Sequence, residues 1–187
     1  MFAGASLDEN SGAFCELKAN FFRLILTKAE TLALTKSDID FVGKSIFISK
    51  TYDRRNKKDI ITEPKTKNSI RRVYLPDSLC NELKRYVDGL YEYPEDARIF
   101  PVVIRAVETK MHRQMEKAGM TNIIRVHDLR HSAASFYLSQ GADMYAIQRL
   151  LGHASIEDTI RTYSHFSIEQ DRQIANIVNR LNQKGGD

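Results

Sequence analysis

The residue types best suited to chemistry lie in the second half of the chain, where all five histidines occur. The run R-V-H-D-L-R-H at 125–131 contains His127 and Arg130, whose spacing of three places them on one face of a helix. His153 follows a glycine that is expected to end a short helix, so its side chain can project into a cleft. Tyr163 comes ten residues later. Imidazole can accept a proton or bind phosphate, guanidinium grips anions in a bidentate fork, and a phenol can act as a nucleophile.

Plainer interpretations of the same residues remain open at this point. Tyr163 alone could be a packing residue on a short helix. His127 and His131 have the i, i+4 spacing of two zinc ligands, although Asp128 stands where metalloproteases carry glutamate. The stretch at 139–152 is typical of a helix, a glycine turn and a second helix, as in a helix-turn-helix DNA reader without catalytic activity. A covalent adduct with DNA would exclude a simple reader, and sensitivity to a chelator would identify a metal hydrolase.

The elements that must position these side chains are mostly helices. Hydrophobic periodicity predicts a helix over 14–34, and three β-like runs follow at 44–52, 59–62 and 71–75. Cap residues and glycines predict the later helices, which are expected to open at Pro76, to span about 104–118, 128–140 and 143–152, and to open again at Ser155 and Ser167. The predicted fold class is α+β and helix-rich, in one domain with a small antiparallel sheet.

The composition excludes several functional classes. The chain has 187 residues, 42% hydrophobic and 28% charged, which suits one folded domain and argues against intrinsic disorder. Two cysteines, in no zinc or disulfide spacing, suit a reducing compartment. Neither a secretory signal nor an apolar run long enough for a membrane span is found in the sequence, so no membrane partner is expected.

Positive charge is concentrated in the predicted sheet. The 29 residues at 44–72 contain ten basic and three acidic side chains, a net charge of +7, whereas the whole chain is only +4. Such a patch attracts a phosphate backbone, because every neutralised phosphate releases condensed counterions. A basic loop that is merely exposed to solvent would have the same composition.

Taken in order, the motifs resemble the C-terminal catalytic domain of the tyrosine recombinases, the phage integrase family. The resemblance depends on H-D-L-R-H at 127–131, on L-G-H ending at His153, and on the tyrosine ten residues further on. E-T-L-A-L-T-K-S-D-I-D at 30–40 is similar to the family's passage from helix to sheet, and P-K-T-K-N-S-I-R-R-V-Y-L-P at 64–76 to its β-hairpin. The resemblance covers most of the chain and implies the family's catalytic-domain fold, with a small three-stranded antiparallel sheet.

The resemblance also implies an activity, in which a tyrosine hydroxyl attacks a DNA phosphodiester. The products are a 3′-phosphotyrosyl link and a free 5′-hydroxyl, and the reverse step rejoins strands without ATP. By this resemblance Tyr163 is the nucleophile and Arg130 is the second of two arginines that clamp the phosphate. His153 would hydrogen-bond a phosphate oxygen, and His127 would serve as general base or phosphate ligand.

The basic hairpin is expected to supply the remaining contacts. Lys65 fits the family's hairpin lysine, which protonates the leaving 5′-oxygen, and Lys67 is the second candidate. The expected DNA-binding residues are Lys57, Lys58, Lys67 and Arg71. No metal and no small-molecule cofactor is expected, because arginines carry the positive charge.

The implied partners are double-stranded DNA and further copies of the chain, since the family acts as a tetramer on DNA. The implied setting is the bacterial cytoplasm, with a prophage or transposon as the element recombined. We expect 1–187 to be a single catalytic domain, with a loose leader at 1–12, the basic sheet region at 44–75 and a C-terminal helix or tail at 167–187. Nothing in the chain resembles the family's N-terminal core-binding domain.

The sequence departs from the family pattern at one position. The family places its first clamp arginine in a T-G-x-R-x-x-E stretch, and counting back from Glu30 puts that arginine's place at Thr27. Counting forward instead, the chain is about four residues short, close to one helical turn of ~3.6 residues. Arg23 and Lys28 are the cations that could substitute, and without a substitute we expect the fold to persist and cleavage to be very slow or absent.

Overall fold

The computed structural model describes residues 24–90, 92–122 and 124–163. The α-helices are α1 (Lys28–Ala33), α2 (Asp77–Asp88), α3 (Ile104–Lys117), α4 (Val126–Ser139) and α5 (Met144–Leu151), and residues 156–163 are also helical and are called α6. The strands are β1 (Ile39–Asp40), β2 (Ser45–Ile48), β3 (Thr51–Arg55), β4 (Lys58–Thr62) and β5 (Arg71–Tyr74). The expected leader at 1–12, Arg23 and the expected tail at 167–187 lie outside the described residues.

The expected helix over 14–34 is wrong in its described part, because only Lys28–Ala33 is helical there. Ile25 has a φ of 61°, a left-handed conformation that interrupts a helix. Thr27 then begins a new helix through a capping box. Its hydroxyl accepts a hydrogen bond from the Glu30 N–H at 3.1 Å, and the Glu30 carboxylate accepts one from the Thr27 N–H at 2.7 Å. The capping signal formed by Thr27 and Glu30 lies inside an apolar run, and hydrophobic periodicity alone predicts a continuous helix there.

Two small antiparallel sheets replace the single sheet expected from the three β-like runs. A three-stranded sheet is present in the order β1-β2-β5, with Ile46 opposite Val73, but its third strand is β1, which was not predicted, and not the run at 59–62. The run expected at 44–52 divides after Ile48, and its second half becomes β3 of a separate hairpin with β4. Arg55 pairs with Lys58, and the two residues between them, Asn56 and Lys57, have positive φ, the backbone of a tight hairpin turn.

The later helices confirm the sequence prediction closely. Asp143 caps α5 by accepting a hydrogen bond from the Ala146 N–H at 2.9 Å, and Gly152 ends this helix at a φ of 66°. A Cβ at Gly152 would stand 3.1 Å from the Cα of Ser69, so the loop before β5 packs directly against the turn that carries His153. Glycine is therefore required at this position twice over, by its φ and by the close approach.

The core consists of two clusters of buried apolar side chains. The larger one joins the β1-β2-β5 sheet to α1 and α2 around residues such as Ile46, Val73 and Leu83. The smaller one joins α4 and α5 to the segment before α1, and its members are Ile25, Ala134, Leu138, Ile147, Leu151 and Tyr163. Tyr163 is thus held in the packing between the helices that carry the candidate histidines and Arg130.

Candidate functional site

Arg130 connects α4 to α1 and to the end of α5. Arg130 lies one turn into α4 and is 6% exposed. Its Nη2 donates a hydrogen bond to the carbonyl oxygen of Leu151, and its Nη1 lies 3.6 Å from a carboxylate oxygen of Glu30. Among the described residues, this Nη1 is the buried side-chain polar atom without a hydrogen-bond partner. A buried unpaired donor is costly, so this atom is suited to receive an anionic oxygen.

Glu30 holds two arginines at this junction. Arg71 donates to both carboxylate oxygens of Glu30, at 2.6 and 3.2 Å, and its Nε donates to the carbonyl of Leu150 at 2.8 Å. Burial raises the pKa of Glu30, but the hydrogen bond and charge of Arg71, the Thr27 N–H and the charge of Arg130 together lower it below its usual value. The carboxylate is therefore charged at neutral pH and fixes both guanidinium groups.

The placement of Arg71 differs from the DNA contact expected of it. Its side chain is 7% exposed and its guanidinium is fully engaged with Glu30 and with backbone carbonyls. A buried guanidinium of this kind cannot reach a DNA backbone on the surface. Arg71 is a structural residue that links β5 to α1 and to the end of α5.

Tyr163 contacts a histidine that the sequence analysis did not place in the site. Its hydroxyl lies 2.8 Å from Nδ1 of His131, and Nε2 of His131 lies 3.1 Å from Nε2 of His127. Tyr163 is 2% exposed. Its pKa lies above the ordinary value for tyrosine, because burial raises it more than the nearby charge of Arg130 lowers it. The signal for His131 was present in the sequence as the second histidine of H-D-L-R-H, but only the structure shows that Tyr163, 32 residues later, meets it.

His153 lies in the turn after α5. Its Nδ1 is 2.9 Å from the hydroxyl of Thr159 on α6, and the ring is half-buried. Burial lowers the pKa of His153, and the charge of Arg130 lowers it further, against the opposing charge of Asp158. His153 is therefore neutral near pH 7, with Nε2 as the ring nitrogen left to meet a ligand.

Lys65 and Lys67 lie in the exposed segment between β4 and β5. The structure shows no hydrogen bond or ion pair from either side chain to the described residues of the site. The same segment reaches the site through Asn68, whose side chain donates to the carbonyl of Ala154 at 3.2 Å. The segment that carries both lysines is thus anchored beside His153.

Thr27, where counting back from Glu30 puts the first clamp arginine, is the N-cap of α1. The Thr27 N–H binds the same carboxylate oxygen of Glu30 that faces Nη1 of Arg130. Lys28, one of the two candidate substitutes, is engaged in a half-exposed ion pair with Glu108 instead.

Within the described residues, His127 and His131 form a pair of candidate metal ligands without a third. In the described ranges, no group of three or more histidine, cysteine or carboxylate side chains is placed to hold a metal ion. His127 and His131 alone are fewer ligands than a structural or catalytic zinc site requires.

No helix in the described ranges combines the length and apolar character needed to cross a membrane.

Comparison with known proteins decides between the remaining alternatives. The model of the phage integrase family matches residues 22–170. The chain belongs to this family. Membership supports the recombinase interpretation over a helix-turn-helix reader, and it agrees with the order of motifs from Glu30 to Tyr163.

Curated relatives of this phage integrase domain include recombinases of several bacteria. The ICEBs1 integrase of Bacillus subtilis is 31% identical over 165 residues, which cover 81% of this chain and 45% of the relative. The tyrosine recombinase XerC of Chlamydia muridarum is 31% identical over 158 residues, covering 82% and 47%. The chain spans about half the length of the curated relatives it matches.

Solved structures confirm the fold of the domain. The Tn1549 transposon integrase, in complex with transposon right end DNA, superposes with a TM-score of 0.71 at 18% identity, over 85% of this chain and 58% of that one. The XerH site-specific recombinase bound to its difH substrate superposes with a TM-score of 0.61 at 20% identity, over 88% and 46%. The architecture of α helices around two small sheets is therefore that of the tyrosine recombinase catalytic domain.

Proposed function

We propose that this domain catalyses site-specific DNA recombination by cleaving and rejoining strands through a covalent bond to Tyr163. The observation that supports it most directly is the junction of a phenol, imidazoles and a buried guanidinium with an unpaired Nη1. Integrases among its relatives and structural neighbours, including a putative prophage integrase and a transposon integrase, support the same class of reaction.

The proposed cleavage step exchanges one phosphoester bond for another. The Tyr163 oxygen bonds to phosphorus as the bond from phosphorus to the 5′-oxygen breaks, and the tyrosine proton passes to a base. Arg130 would bind a non-bridging oxygen through Nη1 and stabilise the charge that develops in the transition state. His153 would donate to another phosphate oxygen through Nε2. His127 retains its proposed place near the phosphate as a ligand or base.

The leaving 5′-oxygen needs a proton, and we assign its donor to Lys65, with Lys67 as the alternative. The support is positional, because the segment that carries both residues is anchored to the turn of His153 through Asn68. Both lysines are exposed and therefore free to approach a substrate. The exchange is reversed when a 5′-hydroxyl attacks the phosphotyrosine, so no external energy source is consumed.

The proposed substrate is double-stranded DNA, bound by the β3-β4 hairpin and the segment after it. Six of the ten basic residues at 44–72 form ion pairs within the described chain. The four that form none there are Lys57, Lys58, Lys65 and Lys67. Uncompensated charge on one exposed surface is what phosphate contacts require.

Rejoining to a new partner strand requires at least two covalently loaded protomers on one site. We therefore propose that the protein self-associates on DNA, as a tetramer when four strands are exchanged. We also propose the bacterial cytoplasm as the setting, because the proposed substrate is prophage or transposon DNA.

The test is a search for a covalent adduct on duplexes with a central nick and randomised flanking sequence. The protein is incubated with this library, denatured, and the DNA that remains bound is recovered and sequenced. We expect enriched sequences with the unmodified chain or with Thr27→Arg, and none with Tyr163→Phe in either background. If neither protein yields an adduct that depends on Tyr163, the proposed function is wrong.

A further inference from the structure

We propose that His131 is a catalytic residue, the direct proton acceptor for Tyr163, and that His127 serves it as the second member of a relay. The inference deepens the proposed strand cleavage and rests on it. It starts from two distances, 2.8 Å between the Tyr163 hydroxyl and Nδ1 of His131, and 3.1 Å between the Nε2 atoms of His131 and His127. A general base must lie within ~2.6–3.2 Å of the proton it takes, and of the two histidines His131 is the one shown in contact with that hydroxyl.

The direction of the first hydrogen bond follows from burial. Tyr163 is 2% exposed, and among the described residues its hydroxyl has no other hydrogen-bond partner than His131. If Nδ1 of His131 carried a proton, it would donate, and the O–H of Tyr163 would be left buried without an acceptor. A buried unmade hydrogen bond costs ~1–3 kcal/mol, so His131 accepts at Nδ1.

The tautomers of the whole relay follow from that one assignment. A neutral His131 that accepts at Nδ1 carries its proton on Nε2 and donates it to Nε2 of His127. His127 then carries its own proton on Nδ1. Each hydrogen bond in the relay points from Tyr163 toward His127, which is the order needed for a proton to move outward.

Exposure increases along the same path. Tyr163 is buried, His131 is half-buried and His127 is exposed on the first turn of α4. Burial lowers the pKa of His127, and the positive charge of Arg130 lowers it further, which keeps its acceptor nitrogen free near neutral pH. A proton taken from the buried phenol therefore has a hydrogen-bonded route to the surface where DNA binds.

The step balances without any further reactant. The Tyr163 O–H bond breaks and its proton bonds to Nδ1 of His131, whose Nε2 proton passes to Nε2 of His127. The phenolate oxygen bonds to phosphorus while the P–O5′ bond breaks, and the 5′-oxygen takes a proton from the leaving-group acid. His127 ends the step as an imidazolium beside the phosphate, and rejoining returns the proton along the same path.

Several charged and titratable groups face the relay and set its pH response. They are His127, Asp128, Arg125 and Arg130 on α4 and its cap, His153 after α5, and Glu30 behind Arg130. Glu30 and Asp128 have lowered pKa values and keep their charge throughout the range in which histidines titrate. A change in cleavage rate between pH 5 and 8 therefore reports histidines, and we expect the rate to rise with pH because His127 must be neutral to accept the proton.

The tautomers can be measured without any DNA. Long-range ¹H–¹⁵N correlation spectra of histidine-labelled protein, assigned with single substitutions, distinguish a protonated Nδ1 from a protonated Nε2. We expect the Nε2–H form of His131 and the Nδ1–H form of His127 at neutral pH. A neutral His131 protonated on Nδ1 would overturn the proposal, whatever the DNA assays give.

The catalytic test compares His131→Asn with a control, His112→Ala, which removes an exposed histidine on α3. Asparagine can keep a hydrogen bond to Tyr163 but cannot take its proton. The substitution is made in the unmodified chain or in Thr27→Arg, whichever forms the adduct. We expect His131→Asn to slow adduct formation by ~10²-fold or more and to flatten the rise of its rate with pH. The control should leave both the rate and the pH profile unchanged.

A second substrate separates the base from the leaving-group acid. With sulfur in place of the bridging 5′-oxygen the leaving group is a thiolate, which is far more stable unprotonated than an alkoxide. The sulfur should restore a Lys65→Ala protein and should not restore His131→Asn. Equal rates and pH profiles for His131→Asn and its parent would overturn the proposal and leave the proposed function intact. Complete absence of a Tyr163 adduct would overturn the proposed function and, with it, the catalytic role of His131. Spectra with the expected tautomers would then show that the hydrogen-bonded relay exists and that the strand cleavage is what fails.

Discussion

Glu30 carries its negative charge between two guanidinium groups, and both arginines also bind carbonyl oxygens at the end of α5. Arg71 donates to the carbonyl of Leu150 and Arg130 to that of Leu151. One carboxylate thus connects α1, β5, α4 and the turn that carries His153. Because all three side chains are almost fully buried, removing the carboxylate leaves two positive charges close together with little water to screen them.

We therefore expect Glu30→Gln to destabilise the domain strongly. The shape and the hydrogen bond to Thr27 can be kept, but the charge is lost, and breaking a buried ion pair in this way typically costs ~3–5 kcal/mol. Urea unfolding followed by circular dichroism measures the change. Glu108→Gln is the matched control, because its ion pair with Lys28 is more than one-third exposed and is worth at most ~1 kcal/mol. Similar small effects for both substitutions would contradict this account of Glu30.

The same residue gives a pH dependence of stability. The pKa of Glu30 is lower in the folded protein than in the unfolded chain, so the unfolded state binds more protons as the solution becomes acidic. This contribution to stability is complete above the unfolded-state pKa of ~4.3 and is lost as the pH falls through the folded value. Unfolding curves between pH 7 and pH 3 should show a steeper loss for the parent protein than for Glu30→Gln. Parallel curves would show that Glu30 is not stabilised in its charged form.

At this scale the sequence predicted candidate residues but not their contacts. Arg130, His153 and Tyr163 are candidates from motif spacing, and in the structure the charge of Arg130 lowers the pKa of both His153 and Tyr163. The contact of Tyr163 with His131 depends on how α6 packs against α4, which no local spacing encodes. Arg71 was expected on the DNA surface because its charge was counted without its partner Glu30, which lies 41 positions earlier in the chain.

The segment leading into α1 contains a residue with an unfavourable backbone conformation. Ile25 has a φ of 61°, a conformation that favours glycine and is strained for a β-branched side chain. It occupies the place of the glycine in T-G-x-R when the motif is counted back from Glu30. Ile25 is also fully buried in the cluster with Tyr163, so burial offsets the strain. Burying a side chain of this size is worth ~2–5 kcal/mol, more than the ~1–3 kcal/mol cost of an unfavourable φ.

Thr27→Arg should restore the first clamp arginine and accelerate adduct formation. The Thr27 N–H and Nη1 of Arg130 share one carboxylate oxygen of Glu30, so an arginine side chain at this position starts beside the existing guanidinium. One pre-organised donor is worth ~10²–10³ in rate, and a second charged clamp should give at least that increase. The measurement is the rate of the Tyr163 adduct on a nicked duplex selected from the library.

Thr27→Gln is the control for that substitution, because it removes the same helix cap, worth ~1 kcal/mol, without adding a charge. Its adduct rate should stay at the level of the unmodified chain, and Tyr163→Phe added to Thr27→Arg should abolish the product. Brisk cleavage by the unmodified chain would show that another cation already fills this place and that the alignment at Thr27 is wrong.

Among the elements, those with both a clear cap and a clear end were predicted well. Asp143 and Gly152 bracket α5 as expected, and Gly119 and Gly141 follow α3 and α4 with positive φ. The errors lie where a short-range signal competed with a longer pattern. The Thr27 capping box divided an apolar run, and the break after Ile48 allowed β3 to leave the sheet and pair only with β4.

Ion pairing decides which basic side chains of the described residues remain available to bind DNA. The acidic residues within 44–72 and around it neutralise six of the ten basic ones, including Arg54 through Asp59 and Arg72 through Asp40. What remains is a set of four exposed lysines on the hairpin turn and on the segment anchored beside His153. The surface available to a phosphate backbone is therefore smaller than the sequence count suggests, and the part that carries Lys65 and Lys67 lies beside the turn of His153.

Replacing Lys57, Lys58, Lys65 and Lys67 together with glutamine should weaken DNA binding and reduce its dependence on salt. Each phosphate contact contributes ~0.9 to the slope of log K against log salt, so losing all four should flatten that slope by about 3 to 4. Fluorescence anisotropy with one labelled duplex at several salt concentrations measures it. The control carries the same loss of charge at four lysines outside this surface, Lys36, Lys84, Lys110 and Lys117. If both variants changed the slope equally, binding would follow net charge alone, whereas a change confined to the first would identify the hairpin and its following segment as the surface that contacts DNA.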